Sequence, residues 1–133
     1  MTILIIDDEQ ALRETLREML ETLDYDVCEA EDGSQGLEIL KSGRNVGLVI
    51  TDILMPEKDG IETIHDIRRL YARLPIIAMS GGGVTRNMSF LEYARKLGAT
   101  RVLHKPIKFK DLTDAVASIA PLRNGSVPYL FGI

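Results

Sequence analysis

The stretch ILIIDDEQ, residues 3–10, runs four aliphatic residues straight into three acids. The aliphatic run has the length and composition of a strand buried on both faces. The acids at its end repel one another and lose hydration if they are enclosed, so a strand ending this way needs positive charge beside it. Similar Ile- and Val-rich runs recur along the chain, and they predict strands over Ile3 to Ile6, Asp26 to Ala30, Gly47 to Thr51, Pro75 to Met79 and Arg101 to His104. Stretches of helical period separate them, giving five strand-then-helix units. That alternation specifies an α/β fold built on a parallel sheet.

The first helix is expected from Gln10 to Leu23, with Leu12, Leu16, Met19 and Leu23 on one apolar stripe. Gly33 and Ser34 open a second helix through Leu37 and Leu40, and PEKDG is a turn signal ahead of a third helix carrying Ile61, Ile64, Ile67 and Tyr71. The loop SGGGVTRN, residues 80–87, is expected to be mobile because of its three successive glycines, with a fourth helix starting near Met88. A fifth helix over Lys108 to Ile119 has Leu112, Val116 and Ile119 at core spacing, and Pro121 ends it. The division expected is a domain over residues 1–120 and a tail or linker over 121–133, whose VPYLF segment is apolar enough to dock instead.

A chain of 133 residues fits one domain, and 45% hydrophobic with 27% charged residues is ordinary for a globular protein. The net charge of −4 argues against a surface built to grip nucleic acid or an anionic membrane. Cys28 is the single cysteine and has no metal-ligating neighbour at zinc spacing, so it reads as a small hydrophobe in a reducing compartment. The N-terminus lacks the pattern of a secretory signal and no apolar run reaches membrane-spanning length, so the expectation is a cytoplasmic protein.

Ligands of open parallel sheets bind beyond the carboxyl ends of the strands, and the polar residues of this chain collect there. Asp7 and Asp8 follow the first strand, Asp52 the third, Ser80 the fourth and Lys105 the fifth. Each has an ordinary alternative: Asp7 or Asp8 as a helix N-cap, Asp52 as a turn residue, Ser80 as a loop hydroxyl and Lys105 as a solvated lysine. Their convergence is what argues for chemistry. Three acids in one crevice suit a hard divalent cation, Mg²⁺ above all, which keeps several waters and often shares a phosphate. With Lys105 supplying further positive charge, Asp52 is left as an ionised carboxylate able to act as a nucleophile.

The motifs DD at 7–8, TDILMPEKDG at 51–60, MS at 79–80, LGA at 97–99 and KPI at 105–107 together resemble the receiver domains of two-component response regulators. The resemblance covers residues 2 to about 120. It implies a flavodoxin-like, CheY-like doubly wound sheet of five parallel strands in order 2-1-3-4-5 with five flanking helices. It makes Asp52 the phosphoacceptor, with Asp8, Asp52 and the Leu54 carbonyl as Mg²⁺ ligands and Asp7 on the metal's waters. Ser80 and Lys105 would contact phosphoryl oxygens, with a cis peptide bond before Pro106. The implied function is a phosphorylation-dependent switch, not a turnover enzyme. Its donor would be a sensor histidine kinase or phosphotransfer protein, and its target a downstream protein, an output domain or a second copy in a phosphorylation-linked homodimer.

Two departures follow from the same comparison. Val102 stands where the family usually has an aromatic switch residue, and Leu54, two residues past the acceptor, offers no polar group to orient water, which predicts slow autodephosphorylation. Gly82 holds the other position that influences water access. His104, beside Lys105, either tunes local charge near neutral pH or simply ends the strand. A haloacid-dehalogenase-like phosphatase would need a second Asp two residues after its nucleophile and a cap domain, whereas Asp7 and Asp8 are adjacent here. A binding module that has lost its chemistry is the other competing reading.

Overall fold

Residues 1–53, 60–80, 92, 95, 96 and 98–119 are described by the computed structural model. Along them run β1 (Thr2–Ile6), α1 (Gln10–Thr22), β2 (Asp26–Ala30), α2 (Gly33–Lys41), β3 (Val46–Asp52), α3 (Gly60–Leu70), β4 (Ile76–Ser80), β5 (Arg101–His104) and α4 (Phe109–Ile119). The five strands form one sheet in the order β2-β1-β3-β4-β5, and every pairing is parallel. This is the doubly wound order expected from the sequence. Glu92, Arg95 and Lys96 are helical, while the rest of the helix expected from near Met88, the glycine loop beyond Ser80 and the 121–133 tail lie outside the described residues.

Alternation along each strand divides the core into two layers. Leu4, Ile6, Cys28, Val49, Ile76 and Ala78 form one layer with Leu40 of α2 and with Ile64 and Ile67 of α3, the last two fully buried. Ile3, Ile5, Val27, Leu48, Ile50, Ile77 and Met79 face the opposite way, onto Leu16 and Leu20 of α1 and Leu112 and Val116 of α4. Full burial of each such aliphatic side chain contributes roughly 1.5–3 kcal/mol relative to exposure. The inward edge of α1 is therefore Leu16 and Leu20, one turn apart, and Leu12, Met19 and Leu23 of the expected stripe are only partly buried beside them.

The helix starts differ from simple expectation. At α2, Asp32 accepts a hydrogen bond from the Gln35 N–H at 2.8 Å, and the Gln35 side chain accepts one from the Glu31 N–H at 2.7 Å, a reciprocal cap. At α1 the capping position is Glu9, which makes no side-chain cap, so neither Asp7 nor Asp8 is spent on that role. The turn signal PEKDG ends one residue inside α3, because Gly60 is already helical.

Three arginines tie the helices to the rest of the fold. Glu29 of β2 accepts Arg13 Nε at 3.0 Å and Arg17 Nε at 2.6 Å, both from α1. Burial works to raise the Glu29 pKa, but hydrogen bonds from Arg17 and Arg13 reverse that and leave it below the usual 4.5. On the other face, Arg68 of α3 donates to the carbonyls of Tyr71, Ala72, Leu74 and Gly98 at 3.0, 3.0, 2.8 and 2.6 Å. Gly98 sits at φ +115°, where a side chain would be strained and would also collide with Arg68.

A carboxylate whose folded pKa is depressed gives stability that is present above its unfolded pKa and lost as pH falls through the folded value. The Glu29 contribution should therefore be whole at neutral pH and disappear below the ordinary value of 4.5. In urea titrations, Glu29→Gln is expected to cost about 1 kcal/mol at pH 7. Its deficit against the parent should shrink progressively below about pH 4.5; a deficit that stays constant down to acid unfolding would contradict this.

Candidate functional site

The ends of β1, β3, β4 and β5 lie side by side, and register decides which side chains meet there. Ile6 pairs with Thr51, which sets Asp7 beside Asp52, and Asp52 pairs with Met79, which sets it beside Ser80. Ser80 pairs with His104, and the Ser80 carbonyl accepts the Lys105 N–H at 2.7 Å. Sequence reasoning puts Asp52 and Ser80 just after their strands. They are instead the last residues of β3 and β4, because the ladders continue through them and hold both side chains more firmly than loop positions would.

Asp7 is fully buried, Asp52 is 5% exposed and Ser80 3%, whereas Asp8 is open to solvent. Asp7 Oδ1 accepts the Glu9 N–H at 2.8 Å, and the Asp7 N–H donates to the Ala30 carbonyl at 3.1 Å. Lys105 Nζ donates to Asp7 Oδ2 at 3.1 Å and to Asp52 Oδ2 at 3.0 Å. The ammonium so demanded by the opening acids comes from the far end of the chain. Burial pulls the Lys105 pKa down, but the hydrogen bond and charge of Asp52, with those of Asp7, more than offset it and hold the ammonium above its usual range.

One carboxylate oxygen from each of Asp7, Asp8 and Asp52 can be chosen so that all lie within 4.8 Å of one another. Hard oxygen donors this close, with one open to water, fit a Mg²⁺ ion that keeps part of its hydration shell. The peptide bond between Lys105 and Pro106 is cis. Val102 is half-buried against the core layer that includes Leu4, Ile6 and Ala78, and His104 is exposed. Leu54 and Gly82 lie outside the described residues.

Two residues at the site carry more than their sequence signals indicate. Gly60 reads as the end of a turn, yet a Cβ there would fall onto the Asp52 carbonyl and the Ile53 Cα, so α3 can begin against the end of β3 only because this residue has no side chain. Arg13 reads as part of the polar face of α1, yet its guanidinium donates to the Asp7 carbonyl at 2.7 Å.

A half-buried lysine bridging two aspartates at strand ends, with a third aspartate open beside them, on a 2-1-3-4-5 sheet, is the site geometry of this α/β module. The sequence matches the family described as response regulator receiver domain over residues 3–117, and the chain belongs to that family. It is 32% identical over 117 residues to the transcriptional regulatory protein CpxR of Escherichia coli strain K12, covering 88% of this chain and 48% of that protein. It is 33% identical over 116 residues to the transcriptional regulatory protein FixJ of Bradyrhizobium diazoefficiens, covering 87% of this chain and 55% of that one. The chain thus spans about half the length of the curated relatives it matches. Among solved structures, a response regulator receiver domain protein from Clostridium thermocellum superposes with a TM-score of 0.79 at 30% identity, covering 89% of this chain and 92% of that one. A receiver protein from Pseudomonas putida gives 0.79 at 28% identity, covering 88% and 95%. Phosphorylation-dependent signalling of the two-component type is therefore the function class of this chain.

Because the atoms opposing a Gly60 Cβ are backbone, they cannot swing aside. Gly60→Ala is expected to destabilise the protein by about 1–3 kcal/mol, as overpacking does, and to shift the amide resonances of Asp52 and Ile53. Parent-like stability and resonances would show that α3 starts elsewhere in solution.

Proposed function

We propose that Asp52 is the phosphoryl acceptor of this chain and that Asp7, Asp8, Asp52, Leu54, Ser80 and Lys105 make up its working site. The observation that carries this reading is the Lys105 ammonium bound by Asp7 and Asp52 at the mouth of the three-carboxylate cluster. A nearly buried carboxylate with an ammonium hydrogen-bonded to it is suited to attack phosphorus and then to hand the new negative charge to that cation.

In the proposed reaction an Asp52 oxygen attacks the phosphorus of a phosphohistidine on a sensor kinase or phosphotransfer protein. The new P–O bond forms as the P–N bond breaks, and the imidazole leaves with the electron pair and takes up a proton. Lys105 exchanges its Asp52 contact for a phosphoryl oxygen, and the Ser80 hydroxyl donates to another. Mg²⁺, held by Asp8, Asp52 and the Leu54 carbonyl with Asp7 on its waters, would supply charge neutralisation at the phosphoryl oxygens when bound. Water later hydrolyses the acyl phosphate, slowly because Leu54 has no polar atom to orient it.

The switch in this proposal is a shift between two arrangements of the segment after β4 and of the face that includes β5 and α4. The half-buried Val102 has no ring to rotate inward, so either the output uses another surface or that face repacks without an aromatic signal. The target would be a downstream protein, an output domain or a second copy of the chain, without direct nucleic-acid contact by this domain. The proposed domain comprises residues 1–120, with 121–133 as tail or linker. A cytoplasmic location belongs to the same reading and is supported by the acidic composition and by Cys28 being the single cysteine, which rules out an internal disulfide. Among the described residues, no helix is long and apolar enough to cross a membrane.

Intact-mass spectrometry after incubation with acetyl phosphate tests the acceptor. A single phosphoryl adduct that requires Mg²⁺ and is lost in Asp52→Asn is expected. A folded parent that takes no phosphoryl group from acetyl phosphate or from a phosphohistidine donor would favour a binding module without chemistry. For hydrolysis, Leu54→Asn is expected to lose phosphate faster than the parent in the same assay, and a slower variant would contradict the role given to Leu54.

A further inference from the structure

The Asp7 main chain is held on both sides. Its N–H donates to the Ala30 carbonyl at the end of β2, and its carbonyl accepts a hydrogen bond from Arg13 Nη1 at 2.7 Å. The same guanidinium uses Nε to reach Glu29 Oε1 at 3.0 Å, so one planar group spans from β2 to the turn that carries Asp7 and Asp8. Its side chain is 13% exposed, which leaves little room for another conformation. Arg17 shares Glu29 through the second carboxylate oxygen at 2.6 Å but turns its Nη1 to Glu21 Oε2 at 3.1 Å.

A cation so close to an acidic metal cluster has two opposite effects available to it. As a bare charge it would repel a divalent ion and weaken binding. As a fixed donor it would hold the Asp7 peptide, and with it the separation of the Asp7 and Asp8 carboxylates, at the spacing the ion requires. Glu29 decides between them: it neutralises the guanidinium and directs its free edge to the carbonyl rather than to the carboxylates.

We propose that Arg13, aimed by Glu29, is a positioning residue of the metal site that holds the Asp7–Asp8 turn in its Mg²⁺-binding shape without touching the ion, an inference that rests on the Mg²⁺ reading above. Groups that orient metal ligands are commonly worth tenfold or more in affinity. Arginine suits this place because its Nε and Nη1 donors are set apart on one rigid plane, one on Glu29 and the other on the Asp7 carbonyl, whereas a lysine carries all its donors on one nitrogen at the end of a flexible stem.

The test is a titration of the isotope-labelled chain with Mg²⁺ alone, followed by amide shifts, with thermal melts on the same samples. Arg13→Ala is expected to raise the Mg²⁺ Kd about tenfold. Arg17→Ala, which also loses a Glu29 pair, should lose stability but keep the parent Kd. Removal of positive charge by itself would tighten binding, so the expected change runs against simple electrostatics. An unchanged or tighter Kd in folded Arg13→Ala overturns the inference, as does an equal weakening in Arg17→Ala. If Arg13→Ala does not fold, Arg13→Met serves, since it keeps the apolar stem but has no donor: weakened binding supports the inference, and parent-like binding overturns it. A parent chain with no Mg²⁺-dependent shifts overturns the metal reading itself, a result distinct from a parent that binds and an Arg13 variant that binds equally well.

Discussion

Two carboxylates buried at the ends of neighbouring strands repel each other, and the Lys105 ammonium that bridges Asp7 and Asp52 offsets that repulsion. Burial of one charge without its partner commonly costs 3–5 kcal/mol, so the three groups stand or fall together. Much of the topology serves this contact. β1 and β3 must be adjacent for the two aspartates to meet, β4 must pair with β5 for Lys105 to arrive opposite them, and the Ser80 carbonyl fixes where Lys105 leaves the sheet. The lysine is 98 residues from one partner and 53 from the other, so the site exists only once the whole sheet has formed.

The two faces of the sheet support this end in different ways. One is closed by apolar contact, with Ile64 and Ile67 of α3 seated on Leu4, Ile6 and Val49. The other combines apolar contact with a salt-linked seam in which α1 presents Arg13 and Arg17 to Glu29 of β2. Dispersion and hydrophobic burial are indifferent to small sliding motions, but hydrogen bonds with fixed angles are not. The seam therefore gives α1 a defined longitudinal setting on the sheet, and that setting reaches Asp7 through its carbonyl.

How far the fold could be read in advance depended on whether a signal was local. Strands such as IIAMS and helices such as QALRETLREMLET announce themselves by composition and period, and their positions were legible to within a residue or two. The strand-end acids, Ser80 and Lys105 were legible too, since order along an α/β chain converts directly into position at one sheet edge. Arg13 was not, because an arginine on the polar face of a helix looks the same whether it meets water or a carbonyl. Nor was the closeness of Gly60 to the Asp52 backbone, which is set by the angle at which α3 meets β3. Leu20 was overlooked in favour of its neighbour Met19 because the period alone does not reveal where the helix axis touches the sheet.

Arg68 lies at the end of the sheet away from the acids, where its four carbonyl partners come from the turn before β4 and from Gly98 on the approach to β5. Loops at such an end ordinarily tolerate insertions and drift in length. Here the lengths of two separate connections are coupled through one side chain, since an extra residue at 72–74 would carry carbonyls out of reach and release Gly98 as well. The turn after α3 and the entry to β5 are thus constrained to vary as a pair, and the apparently idle end of the molecule is a less permissive place to graft new sequence than its surface exposure would lead one to choose.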